Sequence, residues 1–423
     1  MKMRGLHIIL VALISALLGY YIGITKVDVE WKQFRPSVNF INRQPPASVR
    51  QKVDFSQMWA VLSKLETSYY DKSALDTQKL LNGAISGMVQ SLGDPYTVYL
   101  PPVQNKDFKQ GLAGEKFEGI GAELGMNGKQ LIVVAPLEGN PAKKAGILPG
   151  DAILKVDGQP TAGWTLAQAV DKIRGPRGTA VILTVVHKES NKPVDVKITR
   201  ETIHVKSVVG WMKKVSQIDQ ISQKDLPNTS KDKNIIYIRV SQFGDQTNQE
   251  WLSQINSLVV EKNKKDNLSG VILDLRNNPG GYLTDATFIA SEFIKDGVVV
   301  KQEKGNGEET DFSVVRKGLL TDVPVVVLIN KGSASASEIV AGALRDHGRA
   351  KLVGETSFGK GTIQQAEDLG AGAGIHVTIA KWLTPDGTWV HGKGLTPDVA
   401  VNLDEKDQTH DKQLEKAVEV LLQ

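Results

Sequence analysis

Two short stretches of this chain carry side chains able to do nucleophilic chemistry. Gly332-Ser333-Ala334-Ser335-Ala336-Ser337-Glu338 offers three hydroxyls, and Phe358-Gly359-Lys360-Gly361-Thr362-Ile363-Gln364 offers an amine between two glycines. A hydroxyl and an amine are the two parts of a serine–lysine pair. The amine acts as a base only when uncharged, a state that burial favours by lowering its pKa. The lysine stretch is poor in charge, and its glycines permit close backbone approach. The serine run also has a purely structural reading, because Ser335 and Glu338 form the S-x-x-E capping box of a helix start. The two readings coexist: a serine at a helix N-terminus sits where developing negative charge is stabilised. A third stretch, Asp274-Leu275-Arg276-Asn277-Asn278-Pro279-Gly280-Gly281, runs from an apolar strand into a Pro-Gly-Gly turn. Such a turn can aim backbone amides at a forming oxyanion, although by itself it is only a turn.

These stretches need a frame. Residues 235–240, 271–275 and 323–329 are near-continuously apolar, as strands of a parallel sheet are. Helical patterns fall at 248–262, 284–294 and 336–345, and this alternation predicts an α/β layered domain. Its last strand leads through Asn330-Lys331-Gly332 into the serines, and Ile339, Val340, Ala343 and Leu344 mark the inner face of the helix that follows. Residues 212–233 are polar and read as a surface insertion, and 411–421 as a weakly amphipathic helix.

Of 423 residues, 41% are hydrophobic and 23% charged, which suits a globular protein of several domains. The 51 basic and 47 acidic residues leave a net charge of +4, with no basic stripe for nucleic acid. Cysteine is absent, which excludes disulfides, thiol catalysis and cysteine-ligated zinc. No metal or cofactor is implied. None of the seven histidines has recognisable triad surroundings, with His347, His376 and His391 left as alternatives to the lysine.

The N-terminus has Lys2 and Arg4 ahead of an apolar run over 6–24, close to the roughly 20 residues that span a bilayer. The positive-inside rule keeps Met1 in the cytoplasm and sends the remainder across. The expectation is a single-pass anchor over 1–25, with secretion after signal cleavage as the alternative. Residues 26–52, with Pro36, Pro45 and Pro46, read as a linker, and 53–103 as a helical region stopped at Gly93-Asp94-Pro95-Tyr96.

Residues 131–135, 180–186 and 194–198 read as short strands, with one helix at 165–173. Between them, 145–158 has the form A-G-x-x-x-G-D-x-I-L-x-V-D-G, which resembles a PDZ domain over about 104–201. Ile153, Leu154 and Val156 would anchor its core. That resemblance implies capture of a peptide C-terminus as an added strand, with Gly119-Ile120-Gly121-Ala122 as the carboxylate-binding loop.

Taken in order, the helical region, the PDZ pattern, D-L-R-x-N-P-G-G, G-S-A-S-A-S-E and F-G-K-G-x-x-Q resemble the carboxyl-terminal processing peptidases, or tail-specific proteases, over about 55–401. The resemblance implies a mixed α/β multidomain protein. It would have a crotonase-like (ClpP-like) core over 202–402, an inserted β-rich PDZ domain, a single transmembrane helix and a helical tail over 403–423. It implies a serine endopeptidase working outside the cytoplasm of a bacterium on proteins or peptides with free C-termini, with helical termini that often mediate dimers. By the same resemblance Ser335 is the nucleophile and Lys360, 25 positions on, the base. Gln364, one helical turn later, orients the lysine, and the amides of Gly281 and Ala336 hold the oxyanion. Asp346 and Arg174 would couple to the site or to the PDZ domain. The insertion at 212–233 departs from the family's usual spacing. A peptide-holding scaffold without activity and a non-peptidase acyl hydrolase using His347 or His391 are the rival readings.

Overall fold

The computed structural model describes residues 10–17, 19–20, 25–32, 35–42, 54–114, 116–127, 130–136, 140–148, 150–164, 166–187, 192–204, 206–222, 226–263, 267–402 and 410–423. It divides into two compact units, 1–108 with 362–380, and 109–361 with 381–423.

In the first unit, residues 10–17 and 19–20 are helical and exposed, and the rest of the expected membrane span lies outside the described residues. Among the described residues no helix is long and apolar enough to cross a membrane. The stretch expected to be a linker instead contains an antiparallel hairpin, β1 (Thr25–Lys32) with β2 (Arg35–Asn42), in register from Thr25↔Asn42 to Lys32↔Arg35. Its signal was in the sequence, where Val27, Val29 and Trp31 alternate with Asp28, Glu30 and Lys32. Helices α1 (Ser56–Ser68) and α2 (Thr77–Gln90) follow. The Asp76 carboxylate caps α2 by accepting Lys79 N–H at 2.9 Å. The stop comes as expected: Gly93 has φ +69°, and Asp94 accepts Tyr96 N–H at 3.0 Å and Thr97 Oγ1–H at 2.6 Å. The short strand β3 (Val98–Leu100) pairs with the strand Ala373–Leu383. The helix α3 (Pro102–Leu112) leads onward.

The second unit opens with β4 (Lys116–Gly119), β5 (Ala122–Asn127), β6 (Gln130–Pro136), α4 (Pro141–Lys144), β7 (Ala152–Val156), β8 (Gln159–Pro160), α5 (Leu166–Ile173), β9 (Ala180–Val186), β10 (Val194–Thr199) and β11 (Glu201–His204). The sheet order β10-β9-β7-β6-β5 leaves β5 at an edge with α5 packed beside it, while β11 pairs with β4. Ile153 and Val156 are buried with Val133, Val181, Leu183 and Ile198. Leu154, expected in that core, is only half-buried, and the pairing of β7 with β9 shifts register between Ile153 and Lys155, so that Ile153 and Val156, three residues apart, are the buried pair.

The chain then forms β12 (Val208–Lys214), β13 (Asn234–Val240), α6 (Thr247–Lys262), β14 (Leu268–Asp274), α7 (Leu283–Ala290), β15 (Val298–Lys304), β16 (Glu309–Ser313), β17 (Val325–Ile329), α8 (Ala336–Asp346) and β18 (Ala350–Gly354). The strands Thr362–Gly370 and Ala373–Leu383, which belong to the first unit up to Ala380, are β19 and β20, and β21 (Val399–Ala400) and α9 (Lys412–Leu422) close the chain. The main sheet runs β12-β13-β14-β17-β18-β21, parallel throughout except for β12. Both faces of its central strands β14 and β17 are buried, which explains their continuous apolar sequence.

Two expectations change here. Residues 212–233 are not simply a surface insertion: Val215, Ile218, Ile221 and Leu226 are buried in one core with Ile272, Val326 and Leu328. These apolar residues, three to five apart among polar ones, let a mostly hydrophilic stretch still cover a sheet face. Nor is α9 a loose tail, because Leu414, Ala417 and Val418 are fully buried in that same core.

Candidate active site

Strands β14 and β17 are parallel neighbours, paired from Val271↔Val325 to Asp274↔Leu328. Their carboxyl ends therefore open side by side, where parallel α/β sheets place their sites. The two loops leaving them are stitched together. Asn277 N–H donates to Asn330 Oδ1 at 2.8 Å, Asn330 Nδ2 donates to Asn277 Oδ1 at 2.8 Å, and Ala334 N–H reaches the Asn278 carbonyl at 3.0 Å.

The three serines have different surroundings. Ser333 Oγ donates to the Leu275 carbonyl at 2.8 Å and accepts Asn330 N–H at 2.9 Å. Ser337 Oγ donates to the Asn278 carbonyl at 2.8 Å. Both are fully buried, with their hydroxyls committed to backbone. Ser335 is half-buried at the N-cap of α8, with φ 54° and ψ −114°. A non-glycine residue held there stores roughly 1–3 kcal/mol of strain. Gly280 lies close against this turn. A β-carbon on Gly280 would come within 2.8 Å of Ser335 Cβ and 3.0 Å of Ala336 N.

Glu338, expected only to close a capping box, ties the serine and lysine stretches together. Its fully buried carboxylate accepts Ser335 N–H at 2.8 Å and Lys360 N–H at 2.9 Å on Oε2. On Oε1 it accepts Ser357 Oγ–H and Gly359 N–H, each at 2.6 Å. Four donors converge on one charge, the arrangement that makes a buried carboxylate tolerable. Phe358 N–H to the Ser333 carbonyl at 2.9 Å adds a further tie. Serine and lysine backbones are thus held by one group on the first turn of α8.

The Pro-Gly-Gly turn meets the serine from the other side. Gly281, at φ +140°, bridges Phe243, where a β-carbon would collide with the Phe243 carbonyl. Phe243 N–H binds the Gly280 carbonyl at 3.0 Å, and Tyr282 N–H binds the Phe243 carbonyl at 3.0 Å. Asn278 fixes the turn, donating to the Val240 carbonyl at 2.8 Å and accepting Gly280 N–H at 2.9 Å. The amides of Gly281 and Ala336 are not engaged by another described residue.

The matched families follow this layout. The model of peptidase family S41 matches residues 234–401, that of the PDZ domain 132–186, and that of the activating protease CtpB N-terminal domain 13–102. Carboxy-terminal processing protease CtpB of Bacillus subtilis is 35% identical over 386 residues, covering 90% of this chain and 74% of that protein. Carboxy-terminal processing protease CtpA of the same organism is 38% identical over 350 residues, covering 82% and 69%. The chain belongs to the carboxy-terminal processing proteases. It is a serine-type peptidase of family S41 with a PDZ domain. A Bacteroides fragilis protein assigned to the S41 proteases shares the fold, at 14% identity and a TM-score of 0.59 over 86% of this chain and 97% of that one.

The remaining expected residues of this protease lie as follows. Gln364 belongs to the first unit and to a strand, β19, so its four-residue step from Lys360 is not a helical turn. Thr362, Ile363 and Thr378 favour extended chain, and the Gln364 amide donates to Thr362 Oγ1 at 2.9 Å and Thr378 Oγ1 at 3.1 Å. Asp346 ends α8, about 16 Å along the helix from Ser335 at 1.5 Å per residue, and accepts Asp386 N–H at 3.1 Å. Arg174 is exposed just beyond α5. His347 donates through Nε2–H to the Val298 carbonyl at 2.7 Å, His376 stacks edge-on against Phe108, and His391 stacks on Trp389. In the PDZ domain, Gly121 has φ +71°, and a β-carbon there would collide with Asn140, so this loop position demands glycine. Ile120 is buried and Ala122 begins the edge strand β5.

Sequence reading also missed two polar clusters. Arg276 makes a two-pronged bond to Asp411 of the α9 cap, at 2.9 and 2.8 Å, while binding Asp274, which in turn accepts Tyr237 Oη–H at 2.7 Å. Burial opposes ionisation of Asp411, but the Arg276 hydrogen bonds and charge outweigh it and hold its carboxyl below the usual range. The second is Asp285 on α7. Burial pushes its carboxyl up to about 6, against the hydrogen bond from Asn248 (2.8 Å) and with Asp245 adding repulsion.

Proposed function

We propose that Ser335 attacks the scissile carbonyl and that Lys360, uncharged, takes its proton and returns it to the leaving amine. One observation carries this reading: Glu338 holds the backbones of exactly these two residues through a single carboxylate oxygen. The committed hydroxyls of Ser333 and Ser337 support Ser335 over its neighbours. The tetrahedral oxyanion is received by the amides of Gly281 and Ala336, which face no competing acceptor among the described residues. Asp346 stands apart from the chemistry, at the C-terminal end of α8, and Arg174 conveys PDZ occupancy.

The PDZ domain takes the substrate's C-terminus as an added strand on the open edge of β5, with its carboxylate on Gly119, Ile120, Gly121 and Ala122. The sheet order and the glycine-only position at 121 support that groove. Residues 6–24 anchor the protein in the cell membrane with the peptidase on the extracytoplasmic side, supported by the apolar run and the basic residues before it. The helical N-terminal region pairs two copies; Phe55, Trp59 and Met88 lie exposed on it.

Ser335→Ala and Lys360→Ala should each lower cleavage of a tail-bearing protein by at least about 10³-fold while melting within a few degrees of the parent. Deleting the PDZ groove should raise KM for long tails far more than it lowers turnover. A folded Lys360→Ala protein that cleaves at the parental rate would remove the lysine from the mechanism.

A further inference from the structure

Lys360 is a long, flexible side chain, and a misplacement of about 1 Å at a reacting group can cost about 100-fold in rate. Its backbone is held on both sides. The N–H goes to Glu338. The carbonyl accepts the Trp382 indole N–H at 2.8 Å, and the next carbonyl, of Gly361, accepts both Trp382 N–H at 3.1 Å and the Trp389 indole N–H at 2.8 Å. Two indoles seven residues apart thus hold two successive carbonyls. They differ in setting: Trp382 is fully buried, whereas Trp389 is 44% exposed and turns its N–H inward. The Trp389 ring stacks on His391 at 5.1 Å between centroids and 10° between planes, with Lys381 Nζ 5.7 Å from its centre. A β-carbon on Gly361 would come within 2.7 Å of the Trp389 indole nitrogen and 2.8 Å of His391 N. Glycine at 361 lets the indole reach the carbonyl at all.

We propose that Trp389 is a positioning residue for the peptidase reaction, acting through its indole N–H on the Gly361 carbonyl to fix where Lys360 stands. The proposal rests on Lys360 being the base. A purely structural tryptophan would matter through its ring, by packing on His391. A positioning tryptophan matters through its N–H, and Trp389→Phe removes that donor while keeping an aromatic ring.

The experiment measures kcat, KM and melting temperature for Trp389→Phe, Gly361→Ala and the double variant, with Lys360→Ala alongside. Trp389→Phe should lower kcat three- to tenfold, with KM within twofold and the melting temperature within about 2 °C, because Trp382 still holds the same carbonyl. Gly361→Ala should lower kcat further by displacing the indole. The double variant should match Gly361→Ala alone, since the second substitution then removes a contact already lost. Parental kcat in Trp389→Phe, a loss that tracks melting temperature, or effects that multiply in the double variant would each overturn the proposal. If Lys360→Ala is inactive while Trp389→Phe runs at full rate, this inference alone falls. If Lys360→Ala stays active, the reading of Lys360 falls and this proposal with it.

Discussion

Glu338 and Asp285 occupy the same position in two neighbouring helices: each is the third residue of a helix that begins at the candidate site, α8 for one and α7 for the other. Both carboxylates are buried. Their surroundings are opposite. Glu338 gathers four donors from the serine turn and the lysine loop. Asp285 accepts one hydrogen bond, from Asn248 Nδ2, and its Oδ2 has no partner, nor has Asn248 Oδ1. Nearby, Asp245 adds like charge while accepting Tyr282 Oη–H at 2.9 Å, and burial with that bond pushes the Tyr282 hydroxyl up to about 12. The helix start offers each carboxylate the same favourable field. Local donors decide the rest: Glu338 is a charged clamp, and Asp285 is a carboxyl better satisfied with a proton on it.

The difference can be broken at either end. Glu338→Gln replaces one acceptor oxygen with a donor that must face two N–H or O–H groups. It should lower kcat by about 100-fold or more and stability by roughly 3 kcal/mol, read from turnover and denaturant melts, because each buried donor left unpaired costs about 1–3 kcal/mol. Turnover within threefold of the parent would mean the clamp does not position the site.

Asp285→Asn sharpens the other end. The raised carboxyl binds its proton more tightly folded than unfolded. Its contribution to stability is therefore full below the ordinary value of 3.8 and is lost as pH rises through about 6. An amide supplies a permanent N–H to the Asn248 oxygen. The variant should gain on the order of 1–2 kcal/mol over the parent above pH 6, a gain that shrinks as pH falls toward 4. Melts across pH 4–8 check this; a variant less stable than the parent at pH 8 would show that Asp285 belongs there as a charge.

Much of the frame was legible. The strands at 235–240, 271–275 and 323–329 and the helices after them fell within a few residues of β13, β14, β17 and α6 to α8, since buried parallel strands and amphipathic helices write themselves as periodicity. The glycine signals at 121, 280 and 281 correspond to positive φ and close backbone approach. What stayed hidden is contact across long sequence separation. The spacing from Ser335 to Glu338 was readable as a cap, but not the carboxylate's reach to residues 357–360. Nothing in the sequence marks Trp382 or Trp389, because which carbonyl an indole meets is decided by tertiary packing. The step from Lys360 to Gln364 has the length of a helical turn, but β-branched neighbours make it a strand. The hairpin at 25–42 is masked by the mixed charge and the prolines at 36, 45 and 46, which read as linker although residues 27–32 alternate.

The absence of cysteine permits a direct test of the amine at 360. Lys360→Cys carries the only thiol in the chain, and alkylation with 2-bromoethylamine rebuilds an amine of nearly lysine length at that one position. Turnover of a tail-bearing substrate before and after stoichiometric alkylation is the measurement. The account predicts a folded, inactive thiol variant that regains a substantial part of parental kcat once aminoethylated. An active thiol variant, or a fully aminoethylated one that stays inert, would contradict it.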